Sequence, residues 1–207
     1  MLVEQLFEQL TPFNEVIFDL DNTIFSQQDF DRGAFEDITT ALKKECSLPL
    51  IDFADYLLNL KEIKGNKYNK LFNDALGKYQ LPNTLLPVML ASYSAHDGRY
   101  IKQADSLVPL IKTHLKSKKV FVVTNGPVQV QTTKLKRLGL PDWVTFVICS
   151  SKIPEQLKPN RYAFDKITKQ HPCSKPVMVG DDHTTDGLFA DKVNIPFIHF
   201  DIRHAHK

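Results

Sequence analysis

Short apolar runs that alternate with helical segments constrain the fold of this chain more than any other feature of its sequence. Each run is apolar at consecutive positions, as in strands buried on both faces of a sheet. The runs lie within Val16–Phe18, Val120–Val123, Val144–Ser151, Pro176–Gly180 and Asn194–Phe200. Helical patterns precede or separate the later runs, and Gly139 is placed to end one of these helices. The alternation predicts an α/β fold with a doubly wound, parallel, five-stranded, Rossmann-like sheet.

The segment between the first and second strands, about residues 27 to 97, contains helical patterns and no convincing β run. Apolar residues recur there at spacings of three and four, which predicts four short helices. They lie in AFEDITTALKKEC, FADYLLNLKEI, KYNKLFNDALGKY and PNTLLPVMLASY. We therefore predict a core domain of residues 1–26 and 98–207 and an inserted helical cap domain of residues 27–97.

Polar residues follow the predicted strands at the points where those strands end. They are Asp19, Asp21 and Thr23 after the first strand, Thr124, Asn125 and Gly126 after the second, Lys158 and Pro159 at the start of a later helix, and Gly180, Asp181, Asp182 and Asp186 after the fourth strand. Ligands of doubly wound parallel sheets bind beyond the carboxyl ends of the strands. We therefore expect these side chains to converge on one crevice.

Asp19 and Asp21 pose an electrostatic problem, because nearby carboxylates raise one another's pKa. A structural role would need a cation or a dense set of donors to keep both ionised. Asp19 alone would be an ordinary turn residue after a strand. That interpretation leaves the negative charge of Asp21, Asp181 and Asp186 unexplained, so a bound cation is the better hypothesis.

In this order and spacing the motifs resemble those of the haloacid dehalogenase superfamily of phosphohydrolases. The superfamily carries D-x-D-x-T, a strand-end Thr or Ser, a Lys often followed by Pro, and G-D-D or G-D-x with a further acid four or five residues on. Residues from about 15 to 200 match this pattern, and the insertion matches the helical cap of some members. The resemblance implies an aspartyl-phosphate mechanism with Mg²⁺ as cofactor.

Each motif residue has a chemical role that phosphoryl transfer requires. Asp19 is the expected nucleophile and Asp21 the expected acid and base. Mg²⁺ is expected on Asp19, Asp181 and the Asp21 backbone carbonyl, with Asp186 holding the water shell of the cation or orienting Lys158. Thr124 and the backbone amides of Asn125 and Gly126 are expected to bind phosphoryl oxygens, while Lys158 balances the charge of Asp19. Asp182 is either a metal ligand or a neighbour of one.

The histidines carry weaker signals. His96 lies where the insertion rejoins the core and is a candidate substrate contact, the alternative being a hinge or surface role. His183 follows Asp182 and is expected to be exposed. His199, His204 and His206 resemble a metal-binding tail, but the end of a chain is usually mobile and solvated, so we discount that interpretation.

Composition excludes several functional classes. The 26 Lys and Arg residues nearly balance the 24 Asp and Glu residues, and no dense basic block suggests nucleic-acid binding. No segment approaches the ~20 apolar residues of a membrane helix. The three cysteines are far apart and form no CxxC motif, which predicts a reducing, cytoplasmic location. The oligomeric state is left open.

The motifs therefore predict a Mg²⁺-dependent phosphatase that hydrolyses a small phosphorylated metabolite, either a nucleoside monophosphate or a sugar phosphate. Dehalogenation is disfavoured, because members of the superfamily that cleave carbon–halogen bonds need neither the metal nor the second aspartate. A phosphomutase of the same superfamily is one alternative. A catalytically silent, phosphate-binding or receiver-like module is another, although receivers lack an insertion after the first strand.

Overall fold

The computed structural model describes residues 1–46 and 50–205 of the chain. These residues form two compact units, Met1–Gln27 with Lys102–Lys207 and Gln28–Ile101. We call them the core unit and the helical unit. Their limits differ by a few residues from the predicted domain boundaries at 26/27 and 97/98, and the role of the helical unit as a cap stays a prediction.

The core unit contains a five-stranded sheet in which every pair of neighbouring strands is parallel, as predicted. The strands are β1 (Glu15–Phe18), β2 (Lys119–Gly126), β3 (Thr145–Ser150), β4 (Pro176–Gly180) and β5 (Phe197–His199). Their order is β3-β2-β1-β4-β5, which places β1 in the centre. All four residues of β1 are buried, which explains why Val16, Ile17 and Phe18 are apolar.

The helices, in chain order, are α1 (Val3–Gln9), α2 (Gln27–Glu45), α3 (Phe53–Lys64), α4 (Leu71–Lys78), α5 (Leu86–Ala95), α6 (Val108–His114), α7 (Val128–Leu138), α8 (Tyr162–Gln170) and α9 (Leu188–Val193). Gly139 ends α7 with a left-handed backbone, as its position predicts. None of these helices is long and apolar enough to span a bilayer. The three cysteines carry free thiols.

The first helix after β1 is longer than its apolar pattern predicts. The pattern begins at Ala34, whereas α2 begins at Gln27 and is 19 residues long. The backbone N–H of Gln27 donates to Asn22 Oδ1 over 3.1 Å, which satisfies one of the free donors at this helix end. Charged residues and Gly33 interrupt the apolar spacing in the first turns of α2, so the sequence pattern starts late.

Two apolar clusters stabilise the two units separately. In the core unit, Ile17, Phe121, Val147, Met178 and Phe189 pack together with other buried residues of the strands and helices. Cys149 belongs to this cluster, where burial raises the pKa of its thiol to about 11, as suits a packing residue rather than a nucleophile. In the helical unit, buried side chains of α2 to α5 form a second cluster. No strand occurs among the described residues between 34 and 95.

Candidate active site

The register of the sheet brings the ends of β1, β2 and β4 to one edge of the core unit. Phe18 pairs with Val122 on one side and with Val179 on the other. Asp19 comes next, and its backbone N–H donates to the carbonyl of Val179 over 2.8 Å. Asp19 is therefore held where β1 and β4 end, beside the last residues of β2.

Lys158 connects two of the predicted acidic residues. Its Nζ donates to Asp19 Oδ1 over 2.5 Å and to Asp186 Oδ1 over 2.6 Å. Burial acts to lower the pKa of Lys158, but the charges of Asp186 and Asp19 outweigh it, and the pKa lies above its usual value. Lys158 is thus a buried cation at the centre of the site. It lies four residues before α8 begins, so the prediction that it opens this helix was wrong by one turn.

Asn125 fixes the backbone of Lys158. Its side-chain Nδ2 donates to the Lys158 carbonyl over 3.0 Å, and its Oδ1 accepts from the Lys158 N–H over 2.9 Å. The side chain of Asn125 is therefore engaged in holding the lysine. The predicted role of the backbone amides of Asn125 and Gly126 in substrate binding stays a prediction.

Three carboxylates form a group that suits a hard metal ion. One ligand oxygen each of Asp19, Asp181 and Asp186 lies within 4.8 Å of the others. Burial raises the pKa of Asp19 well above its usual range, with Lys158 opposing and Asp186 adding to the rise. Burial and then Asp186 raise the pKa of Asp181 to about 6. Oxygen ligands that repel one another are what Mg²⁺ or Ca²⁺ binds and neutralises, so the residues fit a divalent cation.

Asp181 is also supported from outside the carboxylate group. The side chain of Asn22 forms a hydrogen bond that favours the ionised form of Asp181. Asn22 adopts a left-handed backbone with φ of 59°, which asparagine tolerates better than most residues. Arg203 Nη2 lies 3.6 Å from Asp181 Oδ2. Asn22 and Arg203 are thus contacts of the site that sequence reasoning missed.

The loop after β4 is shaped by Asp182 and Asp186. Asp182 Oδ1 accepts from the Thr184 N–H over 2.8 Å, so its carboxylate caps a turn and lies outside the group of three. Asp186 is 1% exposed, and its contact with Lys158 supports the second of its two expected roles. His183 is exposed and stacks on His199, with ring centroids 4.5 Å apart.

Gly180 is needed for the close approach of Asp186. A Cβ atom built on Gly180 would overlap the Asp186 carboxyl group. We therefore expect Gly180→Ala to lower the free energy of unfolding by about 1–3 kcal/mol, as overpacking usually does. Gly77→Ala in α4 is the matched control, because nothing lies within 4 Å of the added Cβ. That variant should gain about 0.5–1 kcal/mol. Urea unfolding measures the stability of both variants. If Gly180→Ala and Gly77→Ala unfold at the same urea concentration, the predicted clash is wrong.

Asp21 does not share the position of the other three acids. Its Oδ1 accepts from Lys134 Nζ over 2.7 Å and its Oδ2 accepts from Gln131 Nε2 over 2.9 Å. Gln131 Nε2 also lies 2.5 Å from Thr124 Oγ1. Thr124 and Asp21 are therefore neighbours, joined by one side-chain amide. The metal contact predicted for Asp21 was through its backbone carbonyl and stays a prediction.

Gln131 and Lys134 are two further polar residues that the motif search missed. Both lie on α7, whose buried residues are Val130, Gln131, Lys134, Leu135 and Leu138. This spacing of one, four, five and eight marks a single face of a helix. A glutamine and a lysine on the apolar face of a helix are the signal that would have identified them.

His96 belongs to the helical unit, not to the unit that carries the carboxylates. Its side chain is fully buried, and Nδ1 lies 2.6 Å from Asp37 Oδ2. Arg99 bonds Asp37 as well, with Nη1 2.8 Å from Oδ1. These contacts place His96 in a polar network inside the helical unit, and its contact with substrate stays a prediction. His206 lies outside the described residues.

This chain is similar in sequence to two characterised enzymes and in fold to a solved hydrolase structure. Pyrimidine 5'-nucleotidase PynA of Streptococcus pneumoniae (strain ATCC BAA-255 / R6) is 26% identical, covering 91% of this chain and 84% of the relative. Glyceraldehyde 3-phosphate phosphatase of Methanothermobacter thermautotrophicus is 26% identical, covering 88% of this chain and 83% of the relative. The solved structure of the HAD hydrolase YfnB from Bacillus subtilis, bound to magnesium, superposes with a TM-score of 0.61 at 19% identity, covering 89% of this chain and 87% of that one.

The match to a family model identifies the family to which this chain belongs. The model of the haloacid dehalogenase-like hydrolases matches residues 16–200. This span begins within β1, ends one residue after β5 and contains every strand end described above. The chain therefore belongs to the haloacid dehalogenase-like hydrolase family.

Proposed function

We propose that this phosphoric monoester hydrolase cleaves a small phosphomonoester, either a nucleoside monophosphate or a sugar phosphate, with Mg²⁺ as cofactor and an aspartyl-phosphate intermediate on Asp19. The observation that carries the proposal is the position of Asp19. Its carboxyl group follows a central strand, contacts the buried ammonium of Lys158 and lies within 4.8 Å of two further carboxylates. A turn residue with a purely structural role needs none of these partners.

The first half-reaction transfers the phosphoryl group to the protein. A carboxylate oxygen of Asp19 attacks phosphorus, and the bond from phosphorus to the leaving oxygen breaks. Asp21 gives its proton to that oxygen, so the product leaves as an alcohol. The Thr124 hydroxyl and the Lys158 ammonium stabilise the phosphoryl oxygens, where negative charge gathers.

The second half-reaction returns Asp19 to its starting state. Asp21 takes a proton from water, the water oxygen attacks phosphorus, and the bond from phosphorus to Asp19 breaks. Splitting one displacement into two is the usual benefit of a covalent intermediate. A positioned acid and base contributes roughly 100- to 10,000-fold to the rate. Since Asp21 acts in both steps, its orientation matters twice.

Asp19, Asp181 and the Asp21 carbonyl would hold Mg²⁺, with Asp186 as a neighbour that orients Lys158. When bound, the cation neutralises charge on the phosphoryl oxygens. The grouping of oxygen ligands and the raised pKa values of Asp19 and Asp181 support a divalent cation here.

The two similar enzymes support a small phosphorylated substrate. One is named for a pyrimidine 5'-nucleotidase activity and the other for hydrolysis of glyceraldehyde 3-phosphate. We assign the helical unit the role of a cap that covers the site during the first half-reaction. A cap of this kind excludes macromolecular substrates and bulk water.

Phosphate release from a panel of phosphorylated metabolites tests the proposal. With Mg²⁺ present, we expect many turnovers on at least one nucleoside monophosphate or sugar phosphate and on p-nitrophenyl phosphate. A receiver-like module would instead take up one phosphate per chain and stop. If no phosphomonoester in the panel yields more than one phosphate per chain, the proposed function is wrong.

A further inference from the structure

The proposed acid and base, Asp21, is held by two side chains of α7. Lys134 Nζ donates to Oδ1 over 2.7 Å, and Gln131 Nε2 donates to Oδ2 over 2.9 Å. The two residues are three positions apart on the helix and therefore lie on the same face. We call this pair the Asp21 clamp. Each of its members contacts a different oxygen of the same carboxylate.

Burial makes the clamp unlike a surface ion pair. Gln131 is 1% exposed and Lys134 is 2% exposed. A buried ammonium group is unfavourable unless a charged or polar partner faces it, and the Asp21 carboxylate meets this need. Long side chains on a surface sample several rotamers, whereas these two are confined by the packing around α7. The positions of their nitrogen atoms are therefore well defined.

The orientation of the Gln131 amide follows from its neighbours. Nε2 faces Asp21 Oδ2 and also the backbone carbonyl of Asn125, which lies 3.1 Å away. Both neighbours only accept hydrogen bonds, so the reversed amide would place an oxygen against two oxygens. Gly126 leaves room for this side chain, because a Cβ there would lie 3.1 Å from Gln131 Cδ. The amide is thus fixed as a donor.

A carboxylate has about four acceptor positions, and the clamp uses two of them. The others stay available to exchange a proton with a substrate oxygen or with water. Because two donors bind two different oxygens, the carboxylate cannot rotate about the Cβ–Cγ bond of Asp21 without losing both hydrogen bonds. The clamp therefore keeps one face of Asp21 in place through both half-reactions.

We propose that Gln131 and Lys134 are positioning residues that hold the Asp21 carboxylate in the orientation required for proton transfer. The inference rests on the proposed function of the site. A purely structural role, in which the pair only ties α7 to the loop after β1, predicts a loss of stability without any dependence on the leaving group. A resting role, in which Asp21 must leave the clamp to react, predicts faster turnover when the clamp is removed.

The experiment compares Lys134→Met with the wild-type chain on two substrates, p-nitrophenyl phosphate and glycerol 2-phosphate. The first has a good leaving group and the second needs a proton from Asp21. We expect kcat/KM to fall about 100-fold for glycerol 2-phosphate, the size of a misplaced acid, and less than about fivefold for p-nitrophenyl phosphate. Lys136→Met is the matched control, since Lys136 is an exposed lysine of α7. It should match the wild type on both substrates.

A double mutant separates positioning from general damage. If Lys134 acts through Asp21, Lys134→Met should slow p-nitrophenyl phosphate turnover less than about twofold in an Asp21→Asn background. Gln131→Met removes the other half of the clamp and should show the same dependence on the leaving group, which keeps the test valid if Lys134→Met does not fold.

Equal losses on both substrates, unchanged activity or faster turnover would overturn the inference while leaving the proposed function standing. If the wild-type chain releases no phosphate from either substrate, both the inference and the proposed function are wrong.

Discussion

Asp19→Asn is expected to reduce phosphate release to the background rate while leaving the protein folded. Asparagine keeps the size of the side chain and its oxygen can still accept from Lys158, but it lacks the charge that attacks phosphorus. Steady-state release from p-nitrophenyl phosphate measures the loss, and the melting temperature checks the fold. Asp165→Asn is the control, because Asp165 is an exposed carboxylate of the core unit with 57% side-chain exposure. That variant should keep full activity.

Asp21→Asn should behave differently from Asp19→Asn. The nucleophile remains, so a substrate with a good leaving group still phosphorylates Asp19, but hydrolysis of the intermediate lacks its base. We expect a burst of p-nitrophenol followed by slow turnover, and added phosphate mass on the peptide that contains Asp19. Turnover by Asp19→Asn, or trapped phosphate on Asp181 or any other residue, would show that the mechanism is wrong even though the fold is right.

Removal of divalent metal is expected to abolish activity and to lower stability together. One ligand oxygen each of Asp19, Asp181 and Asp186 lies within 4.8 Å of the others, and Lys158 directly balances the charges of Asp19 and Asp186. A cation bound to the folded state alone adds about 2.7 kcal/mol when its concentration is 100 times its Kd. Chelator should therefore stop phosphate release and lower the melting temperature, and added Mg²⁺ should restore both.

Two further measurements make the metal prediction specific. Asp181→Ala should remove most of the Mg²⁺-dependent rise in melting temperature, whereas Asp165→Asn should keep it. Ca²⁺ should inhibit, because its larger and looser coordination shell displaces the nucleophile. Full activity in chelator would rule out a metal in the reaction. If Mg²⁺ raises the melting temperature of Asp181→Ala and of the wild type equally, the metal does not bind at the predicted residues.

The sheet was predictable because its strands are apolar on both faces and the connections between them are helical. The apolar run Val16–Phe18 predicted a strand buried on both faces, and all four residues of β1 are buried. Its central place in the strand order was not predicted. Helix limits were harder to predict, because capping depends on contacts that the pattern does not contain. α2 begins at Gln27, where the backbone N–H of Gln27 donates to Asn22 Oδ1. The apolar spacing of α2 does not predict this hydrogen bond.

The motif residues of the site were predictable because they follow strands, whereas two further residues come from a helix and were missed. Asp19, Lys158 and Asp186 are in contact, as the motifs led us to expect. Gln131 and Lys134 were missed because a polar residue in a helix is usually solvated, and only its place on the buried face of α7 distinguishes it. His96 was named as a candidate substrate contact from its position beside the domain boundary, and no sequence pattern indicated that its ring is buried against Asp37.

The hydrogen bonds between Asn125 and Lys158 also bear on how this protein can be engineered. Both backbone polar groups of Lys158 are held by one side chain at the end of β2 rather than by the preceding loop. The residues from Ser151 to Ile153 are exposed and lie between β3 and the turn at Pro154–Gln156. Exposed loops of this kind tolerate changes in length. We therefore expect that a binding peptide or fluorescent label introduced there leaves Lys158 in its place.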